Sequence, residues 1–128
     1  MERLSGRTIK AGSGKGIALV SKEPIGFLGG VDPETGIVIE REHPLEGQSV
    51  SGRVLIFPTG KGSTVGSYTL YRLAKSHLAP VAIVNRESEA IVAVGAIIAD
   101  IPMVDQIDID LIHTGDTVTV QDGVVIVG

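Results

Sequence analysis

The segment from Arg53 to Asn85 constrains the fold more than any other part of the sequence. It begins with a continuous apolar run, RVLIFP, which predicts a strand buried on both faces. A glycine-rich loop follows, PTGKGSTVGSY, and apolar residues then recur at helical spacing over residues 66–77. The next run, APVAIVN, predicts a second strand. The segment therefore predicts a strand–helix–strand unit, in which the loop joins a buried strand to a helix.

The rest of the chain is predicted to be mainly short strands and tight turns. It is 43% hydrophobic but only 3% aromatic and has 17 glycines, which favours strands over a helical bundle. Residues 6–10 and 16–21 predict strands around the turn AGSGKG, and GIVIE predicts another. ESEAIVAVGAIIADIP predicts a helix leading into a short strand at 103–105, and residues 121–123 predict a hairpin turn. We therefore expect one compact β-rich α/β domain over residues 1–128.

Charge and cysteine content exclude several classes of protein. The net charge of −4 and the few aromatic residues argue against a nucleic-acid module, which needs a basic face and stacking rings. The absence of cysteine excludes disulfides and any thiolate ligand for zinc or an iron–sulfur cluster. The start lacks a signal-peptide core, and residues 90–99 are far shorter than the ~20 needed to span a membrane. We expect a soluble, cytoplasmic protein.

The glycine-rich loop admits two interpretations. It matches neither G-x-x-x-x-G-K-[ST] nor G-x-G-x-x-G, because Gly62 follows Lys61 and the spacing to Gly66 is one residue too long. Its place between a buried strand and a helix start nevertheless suits an anionic ligand or a reactive group. Ser63 stands at that junction. Either Ser63 or Thr64 caps the helix, or Ser63 belongs to a functional site.

Other polar groups carry weaker signals. His43, His77 and His113 show no metal-ligand spacing and are predicted to lie at the surface. The acidic stretch DQIDID lacks the glycine and the distal glutamate of a calcium loop, so we expect a solvated acidic turn. GGVDPETG has the composition of a tight turn, although Asp32 could contact a ligand.

Several stretches taken together resemble a known family. GGVDPETG, HPLEG, GKGSTVGSY and APVAIV occur in this order, with GRTIKAGSGKGIALVSKEPIGF before them and HTGDTVTV after them. This combination resembles the small subunit of the aconitase X family, and above all its archaeal members. The likeness covers most of the chain. The chain departs from the family pattern at Gly26, where a serine is expected before Phe27.

The resemblance implies a fold, a partner and a cofactor. It implies the swivelling β/β/α domain of aconitases, and a large partner subunit that carries a 4Fe-4S cluster through its own cysteines. The implied enzyme is a hydro-lyase of the mevalonate pathway of isoprenoid biosynthesis. It dehydrates (R)-5-phosphomevalonate to trans-anhydromevalonate 5-phosphate and is active only as a hetero-oligomer. A Lewis-acidic iron would take the poor hydroxide leaving group.

The resemblance also implies roles for residues of the loop. Ser63 would be the catalytic base, with its alkoxide stabilised by backbone N–H groups, a helix N-terminus and a nearby cation. Lys61, Gly62 and Thr64 are the expected substrate-binding residues. The cation that holds the substrate anion is left open, the candidates being Lys10, Lys15, Arg53 and Lys61.

Three alternatives remain open from the sequence. The chain could be the small subunit of a cis-3-hydroxy-L-proline dehydratase, which needs the same serine. It could be a phosphotransfer swivel domain, although none of its histidines lies in a threonine–serine–histidine loop. It could also be a non-catalytic assembly module, in which Ser63 only caps a helix.

Overall fold

The protein is described by a computed structural model over residues 2–62 and 65–128. Within these residues it has one sheet of eight strands, two α-helices and a short 3₁₀ helix at Ile109–Leu111. The strands are β1 Glu2–Ser5, β2 Arg7–Lys10, β3 Ser13–Val20, β4 Val54–Phe57, β5 Ala82–Asn85, β6 Met103–Asp105, β7 Thr117–Gln121 and β8 Val124–Val127. The helices are α1 Gly66–Lys75 and α2 Ala90–Ala99.

The sheet curls until its two edges lie close together. The strand order is β1-β8-β7-β3-β4-β5-β6-β2, with parallel pairing from β3 through β6 and antiparallel pairing elsewhere. The two edge strands β1 and β2 are consecutive in the chain and only Gly6 separates them. A Cβ atom at Gly6 would overlap the carbonyl oxygen of Asp105, so this corner requires glycine.

Three layers result, because β3 takes part in both halves of the sheet. Its first half pairs with β7 and its second half with β4. Alternate residues of β4 face opposite sides: Val54 and Ile56 pack between the two sheet halves, whereas Leu55 and Phe57 pack under the helices. The arrangement is a β/β/α domain, which confirms the predicted fold class.

The strand–helix–strand unit is present as predicted. All four residues of β4 and of β5 are buried, as their continuous apolar sequence requires. The helix predicted within ESEAIVAVGAIIADIP is present and is shorter than that stretch, at Ala90–Ala99; the strand at 103–105 and the hairpin at 121–123 are also confirmed. In the hairpin, Asp122 and Gly123 both have positive φ, 45° and 86°, which two-residue hairpin turns demand.

Two local predictions were wrong. AGSGKG is not a turn throughout, because β3 already begins at Ser13. A Cβ atom on Gly14 would overlap the carbonyl oxygen of Val81, so this glycine serves close packing within the strand. GIVIE forms only isolated bridges, from Ile37 to Ser49 and from Val38 to Val31. Its successive residues pair with two different segments, so no ladder develops.

The two helices lie against each other on one side of the sheet. They approach closely at Gly95, where a Cβ atom would meet Leu70 of α1. Glu89 caps α2, because its carboxylate accepts from the backbone N–H groups of Ile91 and Val92. Neither helix within the described ranges is long and apolar enough to cross a membrane.

Candidate active site

The glycine-rich loop leaves the sheet where the parallel strands end. It runs from the end of β4 to the start of α1, at the carboxyl edge of the parallel strands, which is the edge where open α/β sheets bind ligands. Lys61 and Gly62 are described and both are exposed. Ser63 and Thr64 lie outside the described residues, so the predicted base, the binding role of Thr64 and the capping alternative all stay predictions.

The first part of the loop is held by the chain that follows β5. The backbone N–H groups of Arg86 and Glu87 both donate to the carbonyl oxygen of Pro58, each at 3.1 Å. The side-chain Nδ2 of Asn85 donates to the carbonyl oxygen of Phe57 at 3.0 Å. Three hydrogen bonds therefore fix the direction in which the loop leaves β4.

The middle of the loop is fastened to the segment around Ile25. The N–H of Ile25 donates to the carbonyl of Thr59 at 3.3 Å, and the N–H of Lys61 donates to the carbonyl of Ile25 at 3.0 Å. Gly26 then lies directly against the loop, where an added Cβ would stand 2.9 Å from the carbonyl oxygen of Lys61. The departure from the family pattern at Gly26 therefore lies beside the candidate site.

Gly60 packs the loop against the start of α2. A Cβ atom at Gly60 would overlap a methyl group of Val92 and stand 2.8 Å from Oε1 of Glu89. Gly62 has a φ of 102°, a conformation that side chains disfavour. The two glycines serve different needs: close packing at Gly60 and backbone shape at Gly62.

Lys61 is paired with a carboxylate that the sequence did not single out. Its Nζ lies 2.9 Å from Oε2 of Glu40, and the lysine side chain is 48% exposed. Among the described candidates for the anion-binding cation, Lys61 is the one on the loop. Lys10 pairs with Asp100, and Arg53 donates to main-chain carbonyl oxygens at the opposite end of β4.

The second loop of interest is a turn, as predicted. Oδ1 of Asp32 accepts from the N–H of Glu34 at 2.9 Å, which closes a turn around Pro33. In this part of the chain, the carboxylate that contacts the glycine-rich loop is that of Glu40 and not that of Asp32. Nothing short-range in the sequence marks Glu40, because its partner is 21 residues away.

Asn85 is completely buried at the end of β5. Its Nδ2 donates to the carbonyls of Phe57 and Val84, at 3.0 and 3.2 Å, while its Oδ1 has no hydrogen-bond partner within the described residues. A buried acceptor without a partner costs about 1–3 kcal/mol of stability. The signal in the sequence was a single polar residue closing the apolar run APVAIVN.

The acidic stretch was only partly predicted correctly. Asp108 and Asp110 are exposed and face Arg86, at 3.8 and 3.2 Å. Asp105 is instead fully buried, because the guanidinium of Arg7 binds both of its carboxylate oxygens, at 3.0 and 2.7 Å. A partner 98 residues away cannot be read from the local sequence.

The surroundings of Asp105 favour its ionised form. Burial alone raises the pKa of its carboxyl, but the hydrogen bonds from Arg7 and Ser88 outweigh burial and hold the pKa below its usual value. The backbone N–H of Ser88 donates to Oδ2 at 3.0 Å. The ion pair therefore also steadies the segment that holds Pro58.

One histidine prediction was wrong. His43 is buried, because Nδ1 accepts from the N–H of Leu45 and Nε2 lies 3.1 Å from the carbonyl oxygen of Pro24. His43 therefore has a structural role, because its hydrogen bonds stabilise the loop in which it lies. His77 and His113 are exposed, as predicted.

The residues of this chain do not fit an iron–sulfur cluster. The chain has no cysteine, and within residues 2–62 and 65–128 no three metal-binding side chains gather closely enough to hold an ion. Cysteine thiolates are the usual ligands of such clusters.

The β/β/α layers and the loop at the carboxyl edge define a swivel domain of the aconitase type. A family model described as the aconitase X swivel domain matches residues 3–127, and the chain belongs to that family. It superposes with a TM-score of 0.98 on the crystal structure of Thermococcus kodakaraensis aconitase X in its holo-form, at 52% identity, with 100% of this chain and 99% of that one covered.

Two relatives carry the same name, phosphomevalonate dehydratase small subunit. The protein of Methanocella arvoryzae is 57% identical over an alignment of 122 residues, and the match covers 93% of this chain and 92% of the relative. The protein of Methanosarcina mazei is 55% identical over 122 residues, covering 93% of this chain and 85% of the relative. The resemblance inferred from the sequence is confirmed.

Proposed function

We propose that this chain is the small subunit of a phosphomevalonate dehydratase. The enzyme would remove water from (R)-5-phosphomevalonate to give trans-anhydromevalonate 5-phosphate. The observation that carries the proposal is the 55–57% identity, over 93% of the chain, to two proteins of that name. The active unit would need a large partner subunit, as the words "small subunit" in both names imply.

The proposed reaction requires a base, which this chain would supply. Dehydration of a β-hydroxy acid removes a proton beside the carboxylate and a hydroxyl from the next carbon, and the proton is only weakly acidic. We assign the base to Ser63, whose hydroxyl needs its alkoxide stabilised before it can accept a proton. The Lys61 ammonium and the backbone N–H groups near the start of α1 are the groups of the loop suited to that task.

Substrate binding is assigned to the same loop. Lys61, Gly62 and Thr64 would hold an anionic part of the substrate, with Lys61 supplying the positive charge. Its neighbour Glu40, 2.9 Å away, sets the position of that charge. The hydrogen bonds at Phe57, Pro58 and Lys61 hold the described part of the loop in place, which supports a role in positioning a reactive group.

The iron–sulfur chemistry of the family is assigned to the partner. Since this chain has no cysteine, a 4Fe-4S cluster of the enzyme would be held by cysteines of the large subunit. The isolated chain would then be inactive. The cytoplasmic location stays a prediction.

The role of Ser63 can be tested in the complete two-subunit enzyme. Ser63→Ala is expected to abolish turnover of 5-phosphomevalonate while leaving assembly with the large subunit unchanged. Ser76→Ala, at the exposed far end of α1, is the matched control and should retain full turnover. Full turnover by Ser63→Ala would show that the base is another group.

The substrate can be tested separately from the base. The wild-type enzyme should dehydrate 5-phosphomevalonate and leave cis-3-hydroxy-L-proline unchanged when both are assayed side by side. The reverse result would assign the chain to the hydroxyproline enzyme, without altering the role proposed for Ser63. Inactivity on both, in an intact iron–sulfur complex, would contradict the proposed function.

A further inference from the structure

Asn85 lies next to the point where the loop leaves the sheet. It is the last residue of β5 and stands opposite Phe57, the last residue of β4, in the parallel register. Side chains alternate along a strand, and Ile83, two residues earlier, packs with Phe57 in the core beneath the helices. The amide of Asn85 therefore lies on the helix side of the sheet, where the loop crosses to α1.

Within the described residues, the side-chain amide of Asn85 forms hydrogen bonds only through its NH₂ group. Both hydrogen bonds of Nδ2 go to carbonyl oxygens, those of Phe57 and Val84, while Oδ1 has no partner within the described residues. Reversing the amide would place Oδ1 against two carbonyl oxygens, so these contacts fix its orientation. What the amide contributes here is therefore the hydrogen bond that it donates to the carbonyl of Phe57, which an apolar residue would remove.

We propose that Asn85 is a positioning residue for the loop that carries Ser63. It holds the carbonyl of Phe57, one residue before the loop, while the adjoining N–H groups of Arg86 and Glu87 hold the carbonyl of Pro58. Together they set the direction of the chain at the root of the loop. The inference rests on the proposed function, because only then does the position of Ser63 matter to a reaction.

The test uses two variants of nearly equal shape in the two-subunit enzyme. Asn85→Asp keeps the outline of the side chain but replaces the donors with a carboxylate oxygen, and Asn85→Leu removes them without adding charge. Misplacement of a reacting group by about 1 Å costs up to ~100-fold in rate. We expect kcat for 5-phosphomevalonate to fall about 10- to 100-fold in both variants, with KM changed less than about threefold.

A control separates positioning from loss of stability. Val84→Ala alters the preceding residue, which is buried on the opposite face of β5 between the sheet halves. It should lower thermal stability with kcat unchanged. Hydrogen exchange of the assembled enzyme supplies a second readout: the amide of Lys61, bonded to the carbonyl of Ile25, should exchange faster in the Asn85 variants but not in Val84→Ala.

The outcomes distinguish this inference from the proposed function. If the Asn85 variants show the same kcat and the same exchange rate of the Lys61 amide as Val84→Ala, the positioning role is overturned. This holds even when Ser63→Ala is inactive. A different outcome is that Ser63→Ala retains full turnover while the Lys61 amide still exchanges faster in the Asn85 variants. The assignment of the base then fails, and the contact between Asn85 and the loop stands. The catalytic consequence claimed for Asn85 is overturned in that case.

Discussion

Lys61 combines a structural contact of its backbone with the binding role that we propose for its side chain. Its backbone N–H holds the loop to Ile25, while its ammonium faces Glu40 and remains about half exposed. An ion pair of this exposure contributes little to stability, roughly 0–1 kcal/mol. The charge is therefore available for an anionic ligand without a large loss of folding free energy.

Replacing the charge of Lys61 should weaken substrate binding. Lys61→Met keeps the length of the side chain but removes the ammonium group, so KM for 5-phosphomevalonate is expected to rise about tenfold or more, and kcat to fall because the Ser63 alkoxide loses a stabilising charge. KM should also become less sensitive to ionic strength, since salt screens the lost attraction. Steady-state kinetics at several salt concentrations give KM, its salt dependence and kcat.

The control for Lys61 is another exposed lysine. Lys15→Met changes the net charge equally but alters the first half of β3, where that strand pairs with β7. It should leave KM and its salt dependence unchanged. Equal effects of the two substitutions would mean that net charge, rather than a contact at the loop, attracts the substrate.

At the scale of elements, a helix or strand was predicted correctly wherever its own residues show a distinctive pattern. The apolar run of β4, the helical spacing of α1 and the turn residues of the β7–β8 hairpin each lie within a few consecutive residues. Strand β1 was missed because ERLS has no apolar alternation and is fixed by its pairing with β8, at the other end of the chain.

The sequence predicted the loop of the candidate site but not the residues that surround it. The glycine-rich sequence between a strand and a helix indicated the loop, and the family resemblance singled out Ser63. Glu40, Asn85 and the Arg7–Asp105 pair all act through partners distant in sequence, from 21 to 98 residues away. Those contacts exist only once the sheet has formed, so no local pattern encodes them.

The packing of the loop against α2 gives a prediction at this scale. Gly60→Ala is expected to lower kcat at least tenfold, because the added methyl group would overlap Val92 and displace the loop. Removing the obstructing side chain, in Gly60→Ala combined with Val92→Ala, should restore part of the activity. Kinetics of Gly60→Ala and of the double variant, both in the assembled enzyme, test this.

A second glycine serves as the comparison for Gly60. Gly47 has a φ of 85° and open space around its Cβ position, so Gly47→Ala costs only backbone strain, about 1–2 kcal/mol. It should reduce thermal stability without changing kcat. A loss of activity in Gly47→Ala as large as that in Gly60→Ala would argue against a steric effect confined to the loop.

For the molecule as a whole, the Arg7–Asp105 pair ties edge strand β2 to β6 and makes stability depend on pH. The pKa of Asp105 is lower in the folded chain than its usual value of about 4 in an unfolded one. Its contribution is therefore complete above the unfolded pKa and is lost as pH falls through the folded pKa.

Asp105→Asn should lower the thermal midpoint at pH 7 and leave a smaller difference from wild type in acid, where the wild-type carboxyl is protonated too. Thermal unfolding at a series of pH values measures this difference. Asp110→Asn, at an exposed aspartate facing Arg86, should change the midpoint little at any pH. A difference between Asp105→Asn and wild type that is constant with pH would contradict the linkage.

The pairing of β1 with β8 has a consequence for how the protein is made. Residues 2–5 pair with residues 124–127, so β1 has no partner until β8, more than 100 residues further along the chain, has been made. Contacts between the two ends of a chain are among the slowest to form, because the whole intervening segment must be ordered first. A chain that lacks residues 124–127 thus leaves β1 without its partner, and this edge of the sheet is among the last parts of the domain to form.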